Sequence, residues 1–66
     1  MVVWINGAAR ELADDARVLD ALGALGLPPT GVAVAVDGEV VPRTRWADVA
    51  LADGAQVEIL TAVQGG

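Results

Sequence analysis

The chain has no cysteine, so it forms no disulfide, builds no thiolate zinc site and has no thiol to carry a persulfide. Nor does cysteine usage record a redox compartment. Histidine, tyrosine and lysine are absent as well, which removes the usual general base, the Schiff-base amine and the commonest metal ligand. No catalytic residue, metal or bound cofactor is expected. Positive charge is scarce: four arginines face nine acidic residues, a net charge of −5. That sign repels phosphate backbones and anionic membrane surfaces, so no nucleic acid and no membrane is expected as a partner, and a basic patch on another protein is the better match. No basic stretch followed by an apolar core opens the sequence, and no apolar run approaches the ~20 residues that cross a bilayer. A cytoplasmic protein, monomeric when free, is the expectation.

What is present fits one domain with a single small core in 66 residues. Met1 to Ile5 is apolar and rich in β-branched residues, and it stops at Asn6-Gly7, the pair best suited to the two positive φ angles of a type I′ turn. The return from Ala8 to Ala13 carries Arg10 and Glu11, as an edge strand that must resist pairing does. Val18, Leu22 and Leu25 then recur at helical spacing, which predicts a helix over about 17–25. One of Asp14 and Asp15 is expected to cap its start, with Gly26 as a left-handed stop before Pro28-Pro29.

Val32 to Val36 alternates valine with alanine, turns at Asp37-Gly38 and returns as Glu39 to Val41, where Pro42 ends the strand. Arg43 to Trp46 reads as an irregular crossover, its two arginines a solvated pair in the absence of any phosphate-cradling loop. Trp46, Val49 and Leu51 are placed to close the core, and Asp53-Gly54 turns the chain into a last strand. In that strand Val57 and Ile59 alternate with Glu58 and Leu60, and the chain then runs out through Val63-Gln64-Gly65-Gly66.

Hairpin, helix, hairpin, crossover and strand make an α+β domain. A central first strand and a central last strand joined through a helical crossover lie parallel, which gives a five-stranded mixed sheet of order 2-1-5-3-4 with one helix across one face: the ubiquitin-like β-grasp. Residues 1–66 form this single domain, with 62–66 as a flexible tail. Val3, Ile5, Val18, Leu22, Leu25, Val34, Val57 and Ile59 are the expected core. The pleat then turns Val2, Trp4 and Leu60 outward together as an apolar docking patch.

The segment from Val32 to Arg43, Trp46, the Asp53-Gly54 strand and the terminal Gly65-Gly66 resemble the ThiS family, the sulfur carriers of thiamine biosynthesis. Arg17, Pro28-Pro29 and Gln64 depart from the family's usual residues at points that touch capping and partner fit. The resemblance implies that an E1-like adenylyltransferase uses ATP and magnesium to adenylate the Gly66 carboxylate. Sulfur from a donor system then makes a thiocarboxylate, which thiazole synthase consumes. Gly66 is thus the expected attachment point, presented by Val63, Gln64 and Gly65, and the chain is a substrate rather than an enzyme. A β-grasp carrier of molybdopterin or cysteine synthesis, and a β-grasp interaction module whose glycine end is incidental, are the alternatives.

Overall fold

In the computed structural model, which describes residues 1–28 and 30–61, two turns of one kind build both hairpins. Asn6 and Gly7 have φ of 52° and 83°, and Asp37 and Gly38 have 50° and 86°, the paired positive angles that suit the right-handed twist of adjoining strands. The first turn joins β1 (Val2–Ile5) to β2 (Ala8–Glu11), and the second joins β3 (Val32–Val36) to β4 (Glu39–Val41). A short helix, α1 (Val18–Ala24), lies between the hairpins, and β5 (Gln56–Thr61) follows a 3₁₀ turn at Arg43–Arg45. The sheet order is β2-β1-β5-β3-β4. β5 runs parallel to β1 and antiparallel to β3, which is the β-grasp topology expected from the order of turns.

The start of α1 differs from expectation. Neither Asp14 nor Asp15 caps it; the cap position is Arg17. Helix N-termini leave donors without partners, and here the crossover supplies them: Val18 N–H donates to Val49 O at 3.0 Å and Leu19 N–H to Trp46 O at 3.0 Å. Arg17 and Ala50 form an antiparallel bridge beside them, and Asp20 Oδ2 accepts from Arg17 N–H at 2.8 Å. Asp14 is engaged elsewhere, its Oδ1 accepting from the Met1 ammonium at 2.9 Å. That hydrogen bond raises the ammonium pKa above its ordinary value of 8.0, which keeps the group charged at neutral pH.

The other end of α1 closes as expected. Gly26 has φ of 69°, Leu27 N–H donates to Leu22 O at 3.0 Å and Gly26 N–H to Gly23 O at 3.0 Å, which is a Schellman closure.

The core lies between α1 and the inner face of the sheet. Val18, Ala21 and Leu22 cover Val3, Ile5, Val34, Val57 and Ile59, with Trp46, Leu51 and Ala55 sealing one side. Trp46 is buried, and its indole N–H donates to Val41 O at 2.8 Å, so a large apolar ring is housed without stranding its one donor. Leu25, expected in the core, is half-buried. It is the C-cap of a seven-residue helix and stands at the rim, where the helix has ended before its apolar stripe completes another turn.

Leu22→Ala and Ile59→Ala should each lower unfolding free energy by about 2–5 kcal/mol, whereas Leu25→Ala should cost clearly less because its side chain is already partly solvated. Urea titrations of the three variants check the ranking, and an equal loss at Leu25 would contradict the packing described.

Candidate functional site

β5 is the central strand, and side chains from three turns fasten it and its neighbour. At its start, Asp37 N–H donates to Gln56 O at 2.8 Å while Gln56 N–H donates to Asp37 Oδ1 at 3.0 Å. In the turn before it, Asp53 Oδ1 accepts from Val2 N–H at 2.8 Å and Gly54 N–H donates to Val2 O at 2.7 Å. Further along, Asn6 grips Ile59 twice: Nδ2 donates to Ile59 O at 3.0 Å and Oδ1 accepts from Ile59 N–H at 2.8 Å. Asn and Asp therefore serve both as residues that tolerate positive φ and as side chains that complete a backbone ladder.

The last described residues of the strand, Leu60 and Thr61, line a shallow depression together with Gly31, Val32 and Ala33, and Thr61 is still paired with Val32. Val63, Gln64, Gly65 and Gly66, the residues expected to present and carry the reacting carboxylate, lie outside the described residues, as does the rest of the proposed tail.

Val2, Trp4 and Leu60 are all exposed on the outer face, as the pleat requires. The register does not bring them together. Trp4 stands beside Gln56 and Ala9, and Val2 beside Glu11. Leu60 is four residues beyond Gln56 on β5, about 13 Å along the strand at ~3.3 Å per residue, with Glu58 between. Leu60 instead sits opposite Ala33, while Ala35 lies between Glu58 and Val40. Val40 is 77% exposed and Leu60 68% exposed, so the larger apolar area lies over β3, β4 and the end of β5, with Trp4 and Val2 at the opposite corner.

Sequence reading missed Val40, although the signal was there. Val41 faces inward, half-buried, and its carbonyl receives the Trp46 indole; alternation then sends Val40 outward.

The electrostatics of this end are plain. Glu58 and Glu39 are exposed near the apolar area, and Arg43 and Arg45 are exposed on the turn that follows β4. Arg17 is engaged with the crossover, its Nη1 donating to Asp48 O at 2.9 Å. Among the described residues no group of three or more acidic, histidine or cysteine side chains is arranged to hold a metal ion. No helix among them is long and apolar enough to cross a membrane.

In class, then, this is a ubiquitin-like β-grasp domain with β5 as its central strand and exposed apolar side chains on its outer sheet face. The model of the ThiS family matches residues 3–66. A sulfur carrier protein ThiS of Escherichia coli is 30% identical over 66 residues, covering 100% of both chains. A crystal structure of a thiamine biosynthesis protein (ThiS) from Geobacter metallireducens superposes with a TM-score of 0.83 at 30% identity, again covering 100% of both chains. A thiazole synthase of Paramagnetospirillum magneticum is 38% identical over 66 residues, and the chain spans 20% of its length. The chain belongs to the ThiS family, the sulfur carriers of thiamine biosynthesis.

Because Val40 and Leu60 face solvent, Val40→Thr and Leu60→Thr should each leave stability within about 0.5 kcal/mol of the parent. Chemical denaturation tests this; a loss of the size expected for Ile59→Ala would mean that the outer face is covered in the folded protein.

Proposed function

We propose that the chain carries sulfur as a thiocarboxylate on Gly66 and delivers it for thiazole formation in thiamine biosynthesis. The observation that carries this reading is the end-to-end match to the Escherichia coli sulfur carrier, which spans 100% of both chains. A carboxylate is a poor acyl donor until it becomes a mixed anhydride, so the first step is attack of a Gly66 carboxylate oxygen on the α-phosphorus of ATP. Pyrophosphate leaves. An E1-like adenylyltransferase with magnesium supplies that chemistry, and a sulfur donor system then displaces AMP at the acyl carbon. Thiazole synthase takes the sulfur. The Paramagnetospirillum relative supports this last partner, since a sequence like this one aligns within a longer polypeptide named a thiazole synthase.

The chain's part is presentation rather than catalysis, and its place of action in this reading is the cytoplasm. Gly65 and Gly66 bear no Cβ and suit a narrow channel. Val63 and Gln64 link them to the domain. From Ala62 to Gly66 an extended segment reaches ~16 Å at ~3.3 Å per residue, enough to place the carboxylate at a nucleotide held inside a partner. Docking falls to the outer sheet face. Leu60 and Val40 form its main area, and Trp4 with Val2 makes a second contact point, with aromatic anchors contributing strongly to such interfaces.

Deleting Gly66 should abolish adenylation while leaving binding intact, because the carboxylate would stop ~3.3 Å short and misplaced attack geometry is heavily penalised. Gly65→Ala should give a smaller but clear loss. Intact mass after incubation with ATP, a cognate activating enzyme and a sulfur source should show one oxygen-to-sulfur exchange on the C-terminal peptide. Sulfur on the Gly66 deletion, or none on the intact chain with enzymes proven active on another carrier, would refute the mechanism. Separately, Trp4→Ala and Leu60→Ala should weaken binding to the activating enzyme in a calorimetric titration; unchanged affinity in both would remove the outer face as the docking surface.

A further inference from the structure

Asn6 supplies more than its turn demands. The first position of a type I′ turn requires a residue that accepts positive φ, and Gly or Asp meets that need as Asn does. Yet the Asn6 side chain donates to Ile59 O at 3.0 Å and accepts from Ile59 N–H at 2.8 Å. A primary amide carries a donor and an acceptor side by side, as a peptide group does, whereas an ionised carboxylate only accepts.

The reason such a substitute is needed lies in the ladder. On one side β3 pairs with β5 from Val57 to Thr61. On the other, β1 pairs only Trp4 with Gln56 and Ile5 with Val57, and Asn6 N–H makes the last main-chain bond, to Val57 O at 2.9 Å. There the hairpin turns away, with φ of 52° at Asn6. Ile59 would face that side with a bare N–H and C=O. The Asn6 amide takes both, so β5 is held from two sides as far as Ile59 rather than Val57.

We propose that Asn6 is a positioning residue for the carrier reaction: by clamping Ile59 it fixes the direction in which the chain leaves the sheet toward Gly66. The inference rests on the sulfur-carrier reading above. The lever is long. Beyond Thr61, the last residue paired with β3, five residues lead to Gly66; drawn out straight in a partner's channel they reach ~16 Å, and a tilt of about 10° at the end of the strand displaces the far end by about 3 Å. Displacements of ~1 Å can already slow a reaction ~100-fold. The docking face depends on this clamp far less, because Leu60 remains paired with Ala33 on the other side.

The test uses Asn6→Gly, which keeps positive φ and removes the amide, and Asn6→Asp, which keeps the acceptor and sets a carboxylate against Ile59 O. In steady-state adenylation followed by pyrophosphate release, both should lose kcat by about tenfold or more with KM within about twofold of the parent. Leu60→Ala should show the opposite split. By amide exchange, Ile59 should lose protection in Asn6→Gly while Val57 and Leu22 keep theirs. An unchanged kcat in Asn6→Gly, a loss confined to KM, or a collapse of protection throughout the sheet would each overturn the proposal, the last by making Asn6 merely structural. A parent chain that active enzymes never adenylate brings down the sulfur-carrier reading and this inference with it. A parent adenylated normally beside an Asn6→Gly chain of equal kcat brings down the inference alone.

Discussion

The central strand has to satisfy both of its edges although the neighbour on one side is shorter than it is. An unpaired, buried backbone group costs about as much as a lost hydrogen bond, and β5 lies in the middle of the sheet, where water cannot substitute freely. The solution is drawn from the turns. Asn6, Asp37 and Asp53 lie 53, 19 and 51 residues from the backbone groups their side chains engage, so three local turn choices are also long-range fastenings. The pairs Asn6-Gly7 and Asp37-Gly38 thereby connect local conformation to global topology. Replacing the first residue of either pair by glycine would preserve the turn and lose the fastening.

The helix depends on the same economy. Seven residues are too few to hold a helix in water on their own, and its first donors are served by carbonyls of Trp46 and Val49 rather than by a cap of its own. Crossover and helix therefore stabilise each other, and the Trp46 indole ties both to the end of β4. The result is one cooperative core in a chain with little area to bury. It leaves Val2, Trp4, Val40 and Leu60 of the outer sheet face exposed, as the docking proposed above needs.

Much of this was legible in the sequence because turn dipeptides and period-2 alternation are local. Asn6-Gly7, Asp37-Gly38 and Asp53-Gly54 mark the strand ends, and alternation assigns faces, which together lead to the strand order. Stagger is not local. Alternation says that Trp4 and Leu60 share a face; it does not say that β1 meets β5 at Gln56 and so leaves Leu60 two outward positions away. Capping failed for a similar reason. Asp14 and Asp15 stand three and two residues before the cap position at Arg17, and carbonyls about thirty residues away serve the first donors, which a chain read in order gives no warning of. The Gly66 assignment rested on family resemblance and on chemical elimination rather than on the fold.

The parallel pairing of β1 with β5 has a mechanical side. Hydrogen bonds between parallel neighbours, when their far ends are drawn apart, are loaded together in shear instead of being peeled one by one. A pull on Thr61 along β5, resisted at the start of β1, meets the main-chain bonds from Trp4 to Ala55 and from Asn6 to Val57, the two bonds of the Asn6 amide to Ile59, and the β3 ladder on the other flank. In the proposed reaction, a partner that draws on the segment beyond Thr61 would thus load several bonds at once, on both flanks of β5, rather than unravel the domain one bond at a time.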